Sequence, residues 1–135
     1  MITFNYQTNF ELRNQPRIEE WITKAVDAED FELEAISYVF CTDEYLYNLN
    51  VKYLDHDTLT DIITFDYSVG KRLQGEVYIS IDRVRENAQD FKQDFETELH
   101  RVIIHGVLHL CGYKDKTEEE NELMRSKEDH YIKAL

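Results

Sequence analysis

The run Val102-Ile103-Ile104-His105-Gly106-Val107-Leu108-His109-Leu110-Cys111 sets two imidazoles into an otherwise apolar stretch. At about 100° per residue, its aliphatic side chains cover most of a helix circumference, so the spacing predicts a buried helix rather than an amphipathic one. An imidazole left unpaired in such an interior costs roughly 1–3 kcal/mol, so each histidine needs a partner. His105 and His109 are four residues apart and share one face a turn apart, the geometry with which two imidazoles hold one transition metal. Gly106 leaves room beside them for a backbone or a ligand. Gly112 ends the helix and lets the chain turn back, so that Asp115 can return a carboxylate as third ligand, directly or through water. Two histidines and one carboxylate with an open position suit catalytic Zn2+, with Mn2+ or Ni2+ as alternatives. A core histidine pair bonded to backbone or carboxylates, with no metal, is the competing account of the same spacing.

The remaining candidates point elsewhere. His100 lies about 140° and 180° around the helix from His105 and His109, which makes it a structural partner rather than a co-ligand. His56 in a polar loop and His130 in the last helix read as surface residues, and Cys111 as core packing. Glu118-Glu119-Glu120 reads as a solvated first helical turn favoured by the helix dipole. Glycine, not glutamate, follows His105, so the zinc-protease pattern with its general base is absent. There is no P-loop, no GxGxxG and no nucleophile elbow, which leaves water activated by the metal itself as the leading chemistry.

These residues need a scaffold. At 135 residues the chain is expected to be one domain, 1–135, long enough to bury a core without disulfides. Strands are expected near Phe4–Thr8, Leu33–Cys41, Thr60–Tyr67 and Gly75–Ile81. Pro16 opens a helix carrying Ile18, Trp21, Ile22, Ala25 and Val26 on one face, and Thr42 or Asp43 caps a shorter one. Helices follow at Asp82–Phe95 and Glu96–Cys111, and Thr117 with Glu120 forms a capping box for the last. The expected fold class is α/β (α+β): a mixed sheet of about four strands, four to five helices, and a buried central helix bearing the histidines. No apolar run reaches the roughly 20 residues needed to span a bilayer, and the N-terminus has no signal-peptide pattern. Cys41 and Cys111 alone suggest a reduced, cytoplasmic protein. Fifteen Lys and Arg against 28 Asp and Glu give a net charge of −13, which argues against a general nucleic-acid binder. The cations Lys71, Arg72, Arg83, Arg85, Arg101, Lys114 and Lys116 all fall in the C-terminal half, where they can form a local basic surface.

Residues His105 to Asp115, His-Gly-Val-Leu-His-Leu-Cys-Gly-Tyr-Lys-Asp, resemble the signature His-Gly-x-x-His-Leu-x-Gly-Tyr-Asp-His of the YbeY family of rRNA maturation endoribonucleases. Leu49-Asn50-Val51-Lys52-Tyr53, with Asp57-Thr58-Leu59-Thr60-Asp61-Ile62-Ile63-Thr64-Phe65, is similar to a second family segment, and Gly75-Glu76-Val77-Tyr78-Ile79-Ser80 to a third. Two positions depart: Asp115 stands where the family has its third histidine ligand, and Leu54 where it has an arginine, whose role Lys52 or Arg101 could take. The resemblance implies a metal-dependent endoribonuclease specific for single-stranded RNA, acting on the 3′ end of 16S rRNA through metal-activated water, with the small ribosomal subunit or its proteins as partners. It implies His105, His109 and Asp115 as catalytic metal ligands and Lys71, Arg72, Arg101 and Lys114 as RNA contacts. The alternative is a non-catalytic ribosome-assembly factor with a structural metal.

Overall fold

The computed structural model describes residues 1–54 and 60–135, so His56 and the surrounding polar break lie outside the described residues. The elements run β1 (Ile2–Tyr6), α1 (Gln15–Ala28), β2 (Glu32–Cys41), α2 (Asp43–Leu54), β3 (Ile62–Asp66), β4 (Arg72–Ser80), α3 (Ile81–Asp90), α4 (Phe95–Leu110) and α5 (Glu118–Lys133). The sheet has the order β1-β2-β4-β3. Strands β1, β2 and β4 are parallel, and β3 closes one edge antiparallel to β4. This is the expected α+β fold, with a four-stranded mixed sheet and five helices among the described residues.

Local chemistry sets the boundaries. All five apolar positions read from the α1 periodicity are buried. Ser80 accepts a hydrogen bond from the Arg83 N–H at 3.1 Å, so the helix begins at Ile81, which alternation alone had placed in the strand. Helix α3 stops at Asp90, short of the expected Phe95. Lys92 takes a left-handed φ of 54°, and the Gln93 N–H returns to the Ala88 carbonyl at 2.8 Å. A lysine in that conformation carries no sequence signal, because glycine is the usual occupant. The Thr117–Glu120 capping box forms as expected.

Helix α4 lies at the centre, against β3, β4, α1, α3 and α5. Val102, Ile103, Ile104, Val107, Leu108 and Leu110 are buried, and the fully buried Tyr38 donates its hydroxyl to the Ile103 carbonyl at 3.1 Å. The space left by Gly106 is taken by the sheet: a Cβ there would stand 2.9 Å from Val77 Cγ1 and 3.2 Å from Ile62 Cδ1. Gly75 is tighter still, since a Cβ would lie 2.7 Å from the Phe65 backbone carbonyl and 2.8 Å from Leu110 Cδ2. Gly75→Ala is therefore expected to destabilise the protein by about 1–3 kcal/mol in urea unfolding. Wild-type stability in that variant would show that the β3–β4–α4 packing is looser than described.

Candidate metal centre

The end of α4 builds the site. Gly112 adopts φ +100°, and its N–H bonds the His109 carbonyl at 3.0 Å while the Tyr113 N–H bonds the Leu108 carbonyl at 3.0 Å. This Schellman turn swings Tyr113 back over the helix. Its carbonyl oxygen then lies 2.9 Å from His109 Nδ1. A carbonyl only accepts, so Nδ1 carries the proton and, in the neutral ring, Nε2 offers a lone pair. One turn earlier, His105 Nδ1 lies 2.6 Å from Glu128 Oε2, on a carboxylate of α5 that is only 5% exposed. Both outer nitrogens are thus fixed by acceptors. Both Nε2 atoms lie 3.2 Å from Asp115 Oδ2, and one ligand atom from each of the three residues falls within 4.8 Å of the others. Two oriented imidazoles and a carboxylate converging on one point fit a divalent transition metal.

The turn is also fastened from outside. Tyr113 donates its hydroxyl to Glu29 Oε1 at 2.6 Å, Tyr131 donates to Glu29 as well, and Lys127 Nζ lies 3.2 Å from Glu29 Oε2. Burial works to raise the Glu29 pKa, but these hydrogen bonds outweigh it and hold the carboxyl below its usual range. The loop carrying Asp115 is thereby tied to the C-terminal end of α1 and to α5.

Above the three residues opens a cavity of about 340 Å³, lined among others by Asp61, Thr64, Glu98, Arg101 and Arg125. Burial raises the pKa of Glu98, with the nearby Asp61 adding to the shift. Burial likewise raises Asp61, opposed by His105. Arg101 pairs with Glu128 at 3.0 Å and with Asp129 at 2.8 Å.

The residues expected to bind metal come together; the expected RNA contacts do not. Of those four, Arg101 lines the cavity, whereas Lys114 is exposed on the turn beside Asp115 and is not part of the lining. Lys71 Nζ lies 4.3 Å over the Phe31 ring and Arg72 pairs with Glu34, neither at the cavity wall. His100 packs edge-on against Trp21 at 5.9 Å and faces Glu96 at 3.8 Å, in the structural role expected. His130 is exposed, and Cys111 packs half-buried against the core, where burial pushes its thiol up to about 12. Sequence reasoning missed Glu128, Arg125, Glu98 and Asp61. The signal for Glu128 was its place on the buried stripe of α5, between Met124 and Tyr131.

A family model described as endoribonuclease YbeY matches residues 2–135. A Flavobacterium johnsoniae protein named endoribonuclease YbeY is 52% identical over 132 residues, covering 98% of this chain and 95% of that protein. One of the same name from Flavobacterium psychrophilum is 54% identical over 135 residues, covering 100% and 96%. The solution structure of a Thermotoga maritima protein is similar with a TM-score of 0.72 at 27% identity, covering 98% of this chain and 87% of that one.

Two outcomes test this geometry. Glu128→Gln replaces the carboxylate on His105 with a weaker acceptor and is expected to weaken metal binding about 10–100-fold in competition with a chromophoric chelator. Unchanged affinity would remove Glu128 from the site. Glu98 has a folded pKa above its unfolded one, so the folded state keeps a proton that the unfolded state has lost. Its contribution to the stability of metal-free protein therefore falls as pH rises from the ordinary glutamate value through the raised one. Glu98→Gln should abolish that slope in calorimetric melting and melt higher at neutral pH; parallel wild-type and variant curves would contradict the shift.

Proposed function

The chain belongs to the YbeY family of endoribonucleases, hydrolases of RNA phosphodiester bonds, and on that premise we propose that it matures ribosomal RNA in the cytoplasm by metal-dependent cleavage of single-stranded RNA at the 3′ end of 16S rRNA. The observation that carries this reading is the convergence of two oriented imidazoles and one carboxylate at the floor of an open cavity. His105, His109 and Asp115 hold the ion, with Zn2+ favoured by the nitrogen-rich set and Mn2+ or Ni2+ as alternatives. A divalent ion there would supply positive charge to polarise a phosphate oxygen and make water a better nucleophile.

The chain's own residues do the rest. The Tyr113 carbonyl and Glu128 keep both Nε2 atoms aimed into the cavity. Asp61, Glu98, Asp115 and Glu128 outnumber Arg101 and Arg125 in the lining, so a bound cation would favour entry of a phosphodiester. Hydrolysis forms one bond from water oxygen to phosphorus and breaks one ester P–O bond, the departing oxygen taking up a proton. Lys114, exposed beside Asp115, extends the contact along the strand, on a substrate carried by the small ribosomal subunit.

The test is cleavage of single-stranded RNA carrying a 3′-extended 16S end, with bound metal quantified by elemental mass spectrometry. Wild type is expected to hold about one ion per chain and to cleave, and His105→Ala or His109→Ala to lose both, activity falling by roughly 100-fold or more. Equal cleavage by wild type and His105→Ala would overturn the reading. A metal-loaded wild type that cuts no RNA, but melts lower after chelation, would favour an assembly factor with a structural ion.

A further inference from the structure

Two arginines reach the cavity, and their surroundings differ. Arg101 on α4 has an 18% exposed side chain whose two terminal nitrogens are both taken, Nη1 by Glu128 at 3.0 Å and Nη2 by Asp129 at 2.8 Å. To bind a phosphate it would have to abandon Glu128, a buried carboxylate that also holds His105. Arg125 on α5 has a 58% exposed side chain, and its nearest carboxylate oxygen, Glu128 Oε1, is 3.8 Å from Nη1, beyond hydrogen-bond distance. Among the described residues none of its donors makes a hydrogen bond, and it stands loosely paired at the cavity that holds the candidate ligands. A guanidinium is weakly hydrated and presents a planar fork that matches two phosphate oxygens.

We propose that the two divide the work: Arg125 binds a phosphate of the RNA seated in the cavity, while Arg101 is a positioning residue that holds Glu128 against His105. The inference rests on the RNA-hydrolase reading above for its substrate, though the Arg101 brace does not. Arg125 meets the non-bridging oxygens of a phosphodiester, the one anionic group that every RNA sequence presents, so its contribution is independent of base identity. Arg101 acts through Glu128 on the orientation of His105, and so on the affinity for the ion.

The experiment uses the full chain loaded with Zn2+, the variants R125Q, R125K, R101Q and R101K, and single-stranded RNA oligonucleotides, with folding checked by melting. R125Q is expected to lower kcat/KM about ten- to a hundredfold, mainly through KM. Its log–log salt dependence of RNA binding should be shallower by about 0.7, the share of one phosphate contact on a single strand, at unchanged Zn2+ affinity. R125K should recover the salt slope but only part of KM. R101Q should weaken Zn2+ binding about tenfold in chelator competition while keeping the wild-type salt slope; R101K, which keeps the charge without the fork, should fall between and covers the case in which R101Q fails to fold. Wild-type KM and slope in R125Q, or a shallower slope with intact Zn2+ affinity in the Arg101 variants, would overturn the division. If wild type cleaves and binds no RNA at all, the RNA-hydrolase reading fails instead, while the Zn2+ arm still decides the brace.

Discussion

An imidazole on a helix whose other side chains are in the core has to have both ring nitrogens satisfied, and the rest of the site is arranged around that requirement. For His109 the acceptor is local: the turn that ends α4 brings the Tyr113 carbonyl onto Nδ1. For His105 it is distant, a buried carboxylate on the last helix. Once both Nδ1 atoms are engaged by protein, both Nε2 atoms face the same point, and Asp115 arrives there on the same turn that satisfied His109. One helix ending thus orients one candidate ligand and delivers another. The Glu29 cluster fixes that ending to α1 and α5, which makes ligand geometry a property of tertiary packing rather than of the loop.

The electrostatics follow from the same packing. A buried Glu128 is tolerated because Arg101 and His105 surround it. Among the described residues Glu98 and Asp61 have no such close ion pair, and burial pushes both toward their protonated forms. In a chain of net charge −13, this acidic wall has little intrinsic attraction for RNA. A divalent ion held by the candidate ligands would reconcile the two, because it would satisfy the carboxylate and imidazoles and reverse the local sign of the field.

Much of this was legible in the residues. The buried helix, the histidine pair, the return of Asp115 after Gly112 and the four strands all follow from periodicity, spacing and turn chemistry, signals that act within a few residues. What escaped was decided across the fold. Glu128 sits in a helix crowded with other acids, Glu118, Glu119, Glu120 and Glu122; its place on the Met124–Tyr131 stripe hints at burial, but only docking of α5 on α4 shows that it meets His105. The cations looked like a cluster because they share half of the sequence; the sheet sends Lys71 and Arg72 to other partners. Gly106 read as room for a ligand, but the room belongs to Val77 and Ile62. The end of α3 turned on Lys92 in a left-handed conformation, which tertiary context imposed against the residue's preference.

The carboxylate of Glu128 also bears on how such a chain can change by descent. It is shared by a ring nitrogen of His105 and a guanidinium of Arg101, so replacing it strands two half-buried partners at once. Positions 101, 105 and 128 therefore form one packed unit, within which a single substitution is costly. Arg125 stands a single turn away and outside that unit, free to vary one step at a time. Change by descent is accordingly easier at the exposed Arg125 than within the packing that orients His105.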